Sequence, residues 1–95
     1  MNKSDLIDAI ADELEMTRPQ ATSVLNTILD TMTETLVSGE SIELRGFGSF
    51  VIRQYESYEG RNPKIGKKIQ VKPKKLPYFK VGRDLRVRVN RKHLP

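Results

Sequence analysis

No cysteine occurs anywhere in the chain. Disulfides and thiolate metal sites are therefore excluded, and the composition agrees with a reducing cytoplasm. Histidine is nearly absent too. The one imidazole, His93, lies in the tail Arg91-Lys92-His93-Leu94-Pro95, where a surface role fits better than catalysis. There is no metal-ligand cluster and no phosphate-binding glycine loop, and the carboxylates concentrate on helical segments as solvated faces. No apolar run approaches the length of a signal-peptide core or a membrane span, and the start Met1-Asn2-Lys3-Ser4-Asp5 is polar. The expectation is a soluble intracellular chain with no catalytic residues, cofactor, metal, membrane partner or small-molecule substrate.

Apolar side chains are scarcest between residues 53 and 75. Five occur among those 23 residues, namely Tyr55, Tyr58, Ile65, Ile69 and Val71. The same stretch holds Arg53, Arg61, Lys64, Lys67, Lys68, Lys72, Lys74 and Lys75 against only Glu56 and Glu59. Such a segment builds no core of its own, so it is disordered alone or ordered against a partner of opposite charge. Asn62-Pro63 at its middle reads as a turn, because proline fixes its own φ and drives the preceding residue toward an extended conformation. The charge is also unevenly divided along the chain. Residues 1–40 carry two basic and eight acidic side chains, net −6, and residues 41–95 carry fifteen basic and four acidic, net +11, which together make the overall +5. An acidic half joined to a strongly basic half points to a polyanion, nucleic acid first, with a solvated basic face or a membrane-surface patch as the plainer readings.

No repeat or linker divides the 95 residues, which read as one domain, 1–95. Asn2 and Asp5 form a capping-box pattern, and Leu6, Ile7, Ile10 and Leu14 follow at helical spacing, which predicts a helix over about 3–14. Thr17-Arg18-Pro19-Gln20 is a second start signal. Ala21, Val24, Leu25, Ile28, Leu29, Met32 and Leu36 then predict a helix of about 20 residues, roughly 30 Å long, ending at Ser38-Gly39. One chain offers these faces few partners, so dimerisation through the helical half, 1–40, is expected. Ile42 and Leu44 alternate with Glu43 and Arg45, Gly46-Phe47-Gly48 interrupts, and Ser49 to Ile52 resumes, giving two antiparallel strands around a glycine turn. The second strand runs on into the basic stretch, turns near Asn62-Pro63-Lys64 and returns through Ile69 to Lys72. Pro73 and Pro77 fit only on strand edges, as in a projecting two-stranded ribbon. Beyond Gly82 the pattern is ambiguous, since Leu85, Val87 and Val89 alternate as a strand while Gly82 and Asp84 suit the start of a helix.

Arg45-Gly46-Phe47-Gly48-Ser49-Phe50, Gly60-Arg61-Asn62-Pro63-Lys64 with Gly66, and Leu76-Pro77-Tyr78-Phe79-Lys80-Val81-Gly82 occur in this order. With them the chain resembles, over essentially its whole length, the HU/integration host factor family of bacterial histone-like DNA-bending proteins. The resemblance implies an α+β fold: a two-helix dimerisation body, a three-stranded antiparallel sheet with a long β-ribbon arm at about 53–75 within the segment 41–82, and a short C-terminal helix and tail at 83–95. It implies an intertwined dimer whose arms wrap the minor groove of double-stranded DNA in the cytoplasmic nucleoid, for compaction, recombination, replication or transcription. Both a homodimer and a heterodimer with a related subunit suit the apolar faces. Glu43 and Arg45 look more like the integration host factor beta subunit than like HU, and the matching family arginine reaches into the minor groove. Arg45 is therefore the candidate base reader, the alternative being an ordinary cross-strand pair with Glu43. Ile65 departs from the family, where a small or polar residue is common.

The chemistry fits that implication. Arg53, Arg61, Lys64, Lys67, Lys68, Lys72, Lys74 and Lys75 along the ribbon, with Lys3, Lys80 and Arg83 on the body, are candidates to neutralise phosphates and release counterions, which gives affinity without sequence information. Pro63 is rigid, apolar and without an N–H, the properties of a wedge that unstacks one base step. Asn62 and Arg61 beside it are candidates for minor-groove contacts. A helix-turn-helix reading fails because the second helix has Arg18 as its only base. A structural RNA-binding protein using the basic ribbon stays open through Tyr55 and Tyr58, although Phe47, Phe50 and Phe79 read as core instead of a stacking platform.

Overall fold

Both predicted helix starts are capping boxes. The Asn2 side-chain oxygen accepts from the Asp5 N–H at 2.9 Å, and the Asn2 N–H donates back to the Asp5 carboxylate at 3.0 Å. The Gln20 N–H donates to the Thr17 hydroxyl oxygen at 3.3 Å, and the Thr17 N–H donates to Gln20 Oε1 at 3.0 Å. These pairs satisfy donors that a helix N-terminus otherwise leaves open. They launch α1, Lys3–Leu14, and α2, Arg18–Val37, in the computed structural model. It describes residues 1–56, 58–61 and 68–91, with 58–61 and 68–71 described by their backbone alone. Glu15 closes α1 in the left-handed region at φ 53°, and the Met16 N–H returns to the Ala11 carbonyl at 2.9 Å.

The two helices fold back on each other through Ile7, Ala21 and Leu25, the buried core residues, with Ile10 and Ala11 packed against them. Arg18 fastens the pair from the side. Its Nε donates to Asp8 Oδ1 at 3.0 Å and its Nη2 to Ser4 Oγ at 2.6 Å. The one base of α2 is thus engaged by α1, which agrees with the exclusion of a recognition helix.

The strands are β1, Ile42–Leu44; β2, Gly48–Tyr55; β3, Tyr58–Arg61; β4, Lys68–Val71; and β5, Lys74–Val81. The first, second and fifth form an antiparallel sheet in the order β1-β2-β5, and β3 pairs with β4 in a separate two-stranded ladder. Pro77 lies opposite Ile52 in β5, an edge strand of this chain, where its missing N–H is tolerated. The ribbon is therefore interrupted, not continuous as the sequence implies. The inner ladder ends at Tyr55 opposite Lys74 and the outer begins at Tyr58 opposite Val71. Pro73, which has no N–H to donate, lies outside the strands in that interval. The ambiguous segment after Gly82 is a helix, α3, Arg83–Arg91.

Pleating divides the sheet into two faces. Ile42, Phe50 and Phe79 form one row and Leu44, Gly48 and Val81 another, with Ile52 opposite Pro77 further out. This inner face meets α2 at a groove lined by Leu29, Met32, Leu36, Phe50, Pro77 and Phe79; Thr33 and Tyr78, the residue between Pro77 and Phe79 in β5, also line it. The Phe79 ring lies 4.9 Å from Phe50 and 5.7 Å from Phe47, centroid to centroid, both tilted. Much of this apolar surface stays open in a single chain: Ile28 is 48% exposed and Phe47 49%. The α2 stripe is thus covered on its first half by α1, while the second half and the phenylalanines await a second subunit.

Two measurements check this. The thermal midpoint should rise with protein concentration, because the subunit that completes the core binds only the folded chain. Leu29→Glu should give a monomer in sedimentation equilibrium and lower the midpoint by about 10 °C or more, since each kcal/mol of destabilisation moves a domain of this size by about 4–8 °C.

Candidate nucleic-acid interface

The face of the sheet turned away from α2 has a different chemistry. By register its rows are Glu43, Ser49 and Lys80; Val51 and Tyr78; Arg53 and Leu76; and Tyr55 and Lys74. Three of the sequence-predicted bases, Arg53, Lys74 and Lys80, thereby share one side of β2 and β5. All three are exposed. Lys75 falls on the opposite side, across from Gln54, and lines a groove with Val37, Ser38 and Ile52 near the end of α2. Adjacent lysines in a strand cannot serve one surface equally, and the pleat separates Lys74 from Lys75.

Further along the arm, Arg61 lies opposite Lys68 at the last described pair of the outer ladder. Asn62, Pro63, Lys64 and Lys67 lie outside the described residues, as do Ile65 and His93. Lys72 sits between the two ladders and is exposed. Lys3 and Arg83 are the first residues of α1 and α3, both exposed. Among the described residues the one ion pair is Arg18 with Asp8, so no carboxylate is recorded within salt-bridge distance of the bases of the outer face.

Arg45 is not in a strand, although the alternation of Ile42 and Leu44 implies that it continues one. β1 stops at Leu44, and Arg45 opens the turn that leads to Gly48. Close packing of the turn against the start of α3 explains the early stop. The Gly82 N–H donates to the Phe47 carbonyl at 2.8 Å, the Leu85 N–H to the Gly46 carbonyl at 3.1 Å, and the Phe47 N–H to the Leu44 carbonyl at 2.9 Å. Gly46 takes φ +85°, and a side chain there would begin 2.8 Å from the Asp84 carboxylate. Arg45 then lines a shallow pocket with Phe47, Asp84, Leu85 and Arg88. Glu43 has Ser49 as its cross-strand partner, and no ion pair joins it to Arg45.

Two features escape a reading of the sequence. One is the stacking of Arg53 on Tyr78, with Cζ 3.5 Å from the ring centroid. Residues 25 apart in sequence carry no signal of that meeting. The other is the set of arginines on α3, where Arg83, Arg88 and Arg91 border a shared surface with Asp84 and Val87. The signal for it lies in the C-terminal helix that the family resemblance implies at 83–95, which puts Arg88 and Arg91 one turn apart.

Comparison with known proteins adds a family. Residues 1–90 match the family model described as bacterial DNA-binding protein. The chain is similar to DNA-binding protein HU of Staphylococcus aureus, 38% identical over 86 residues that cover 90% of this chain and 96% of that protein. It is similar to DNA-binding protein HU-1 of Halalkalibacterium halodurans, 40% identical over the same shares. Its fold is similar to that in an Anabaena HU–DNA cocrystal structure, with a TM-score of 0.84 and 40% identity over 94% of this chain and 97% of that one. These relatives carry the name HU, whereas likeness to the integration host factor beta subunit rests on Glu43 and Arg45.

The turn that carries Arg45 should be sensitive to a single methyl group. Gly46→Ala adds Cβ against Asp84 at a positive φ, and urea denaturation should show a loss of about 1–3 kcal/mol.

Proposed function

The chain belongs to the bacterial DNA-binding protein family, and we propose that it bends the DNA it binds by wedging the arm tip into the minor groove. It is an architectural DNA-binding protein that catalyses no reaction and works as a dimer, with a second copy or a related subunit. The observation that carries the bending proposal is the two-faced sheet. Its inner face is apolar and is completed by the partner subunit. Its outer face presents Arg53, Lys74 and Lys80, and beyond it the β3–β4 ladder carries the chain to Arg61 opposite Lys68.

In this reading the whole chain, 1–95, is one DNA-binding unit acting in the cytoplasmic nucleoid. No described helix is long and apolar enough to cross a membrane. Arg53, Lys74 and Lys80 take phosphates on the saddle, Lys3 and Arg83 take them at helix starts, and Arg61, Lys64, Lys67, Lys68 and Lys72 follow the backbone along the arm. Lys75, on the other side of the ribbon, serves a strand that has already curved around it. The acidic surface of α1 and α2 turns away from the DNA. Pro63 supplies the wedge, with Asn62 and Arg61 beside it. Unstacking a step costs a few kcal/mol and is offset by the extra basic surface that bent DNA can reach. Arg45, presented by a turn pinned to α3, supplies sequence preference. Compaction, recombination, replication and transcription are the processes such shaping serves.

Pro63→Ala should lose most of the bend measured by fluorescence between duplex ends, while affinity changes by less than about tenfold because the unstacking cost disappears with the wedge. Undiminished bending would remove Pro63 from the mechanism. Arg45→Ala should narrow the gap between the best and the random members of a duplex panel by about 1–3 kcal/mol. The same panel with structured RNA as competitor tests the choice of DNA, and a wild-type protein that shows no gap among duplexes would leave Arg45 without a reading role.

A further inference from the structure

Tyr78 has no place among the basic residues assigned above, yet it lies in their midst. It shares the outer face with Arg53 and Lys80, diagonal to the first across the β2–β5 ladder. The Arg53 Cζ lies 3.5 Å from its ring centroid. At that separation the guanidinium nitrogens clear the ring carbons only if the group lies roughly parallel to it. Its N–H donors then point sideways, in the plane of the guanidinium, and none is aimed into the ring. Among the described residues no hydrogen bond or ion pair engages them. An arginine on an open sheet otherwise samples many rotamers, and holding one geometry on binding costs side-chain entropy.

We propose that Tyr78 is a positioning residue for DNA: its ring holds the Arg53 guanidinium flat on the saddle before DNA arrives, with the donor fork presented to a backbone phosphate. A bidentate phosphate contact needs a planar fork in a set orientation, and the cation–π stack supplies it. The ring itself neutralises no phosphate. The inference rests on the reading of Arg53 as a phosphate contact.

The test measures duplex binding against salt concentration for the full chain, with circular dichroism melts to confirm that each variant folds. Tyr78→Leu keeps an apolar side chain on the sheet without a π face, and should weaken binding about threefold for each protomer engaged, roughly tenfold for the dimer. The slope of log K against log salt should stay at the wild-type value. Tyr78→Phe, which keeps the ring, should bind as wild type. Arg53→Ala should lower that slope by about 0.9 for each phosphate that is no longer neutralised. In the Arg53→Ala background, Tyr78→Leu should have no further effect. Equal weakening by Tyr78→Leu in both backgrounds, or no weakening while Arg53→Ala does weaken binding, overturns the positioning role alone. No effect of Arg53→Ala overturns the phosphate contact and the inference with it.

Discussion

A chain of 95 residues that devotes 53–75 to a basic stretch with five apolar side chains cannot also close its own core. The rest of the fold depends on this constraint. Among the described residues Ile7, Ala21 and Leu25 are the side chains buried within one copy, while Ile28, Phe47 and Phe79 remain partly open on the inner side of the sheet and helices. A partner subunit is consequently part of the hydrophobic core. Apolar burial is roughly proportional to area and indifferent to which chain supplies it, so a second subunit completes the core as well as a longer chain would.

That arrangement sorts charge without any device beyond the pleat. Alternate residues of β2 and β5 go to opposite faces, so Phe50 and Phe79 face α2 while Arg53, Lys74 and Lys80 face away. The acidic residues of α1 and α2 lie on the helical side of the molecule. Repulsion between the basic residues is tolerable because the outer face is solvated and screened when no polyanion is bound. The separation also explains why Lys75, one residue from Lys74, sits beside the end of α2 instead of on the basic face.

Sequence reasoning succeeds where the cause is local. Both capping boxes, the bounds of α1, the start of α2 and the glycine turn between β1 and β2 follow from side chains within four residues of each other. It falls short where partners are distant. Arg45 leaves the strand because the turn is held by Gly82 and Leu85, nearly forty residues on. Periodicity leaves the segment after Gly82 between strand and helix, and the helix that the family resemblance implies there is the one found, tied to the turn by hydrogen bonds from Gly82 and Leu85. The ribbon reads as continuous in sequence because apolar alternation does not register the interval around Pro73. Within the family resemblance, the Gly60-Arg61-Asn62-Pro63-Lys64 motif is legible as residues, and Asn62, Pro63 and Lys64 lie outside the described residues.

What the sequence by itself determined is the partition: an acidic helical half, a basic stranded half, a stretch too poor in apolar residues to fold inward, and family motifs in order. These are properties of composition and short-range spacing, which folding does not alter. Only the tertiary structure decided which bases share a face, that Arg45 rides on a turn and that Tyr78 lies under Arg53. Each of these is set by strand register and by docking between elements far apart in the chain, and both are chosen by the packing of the opposite, apolar face.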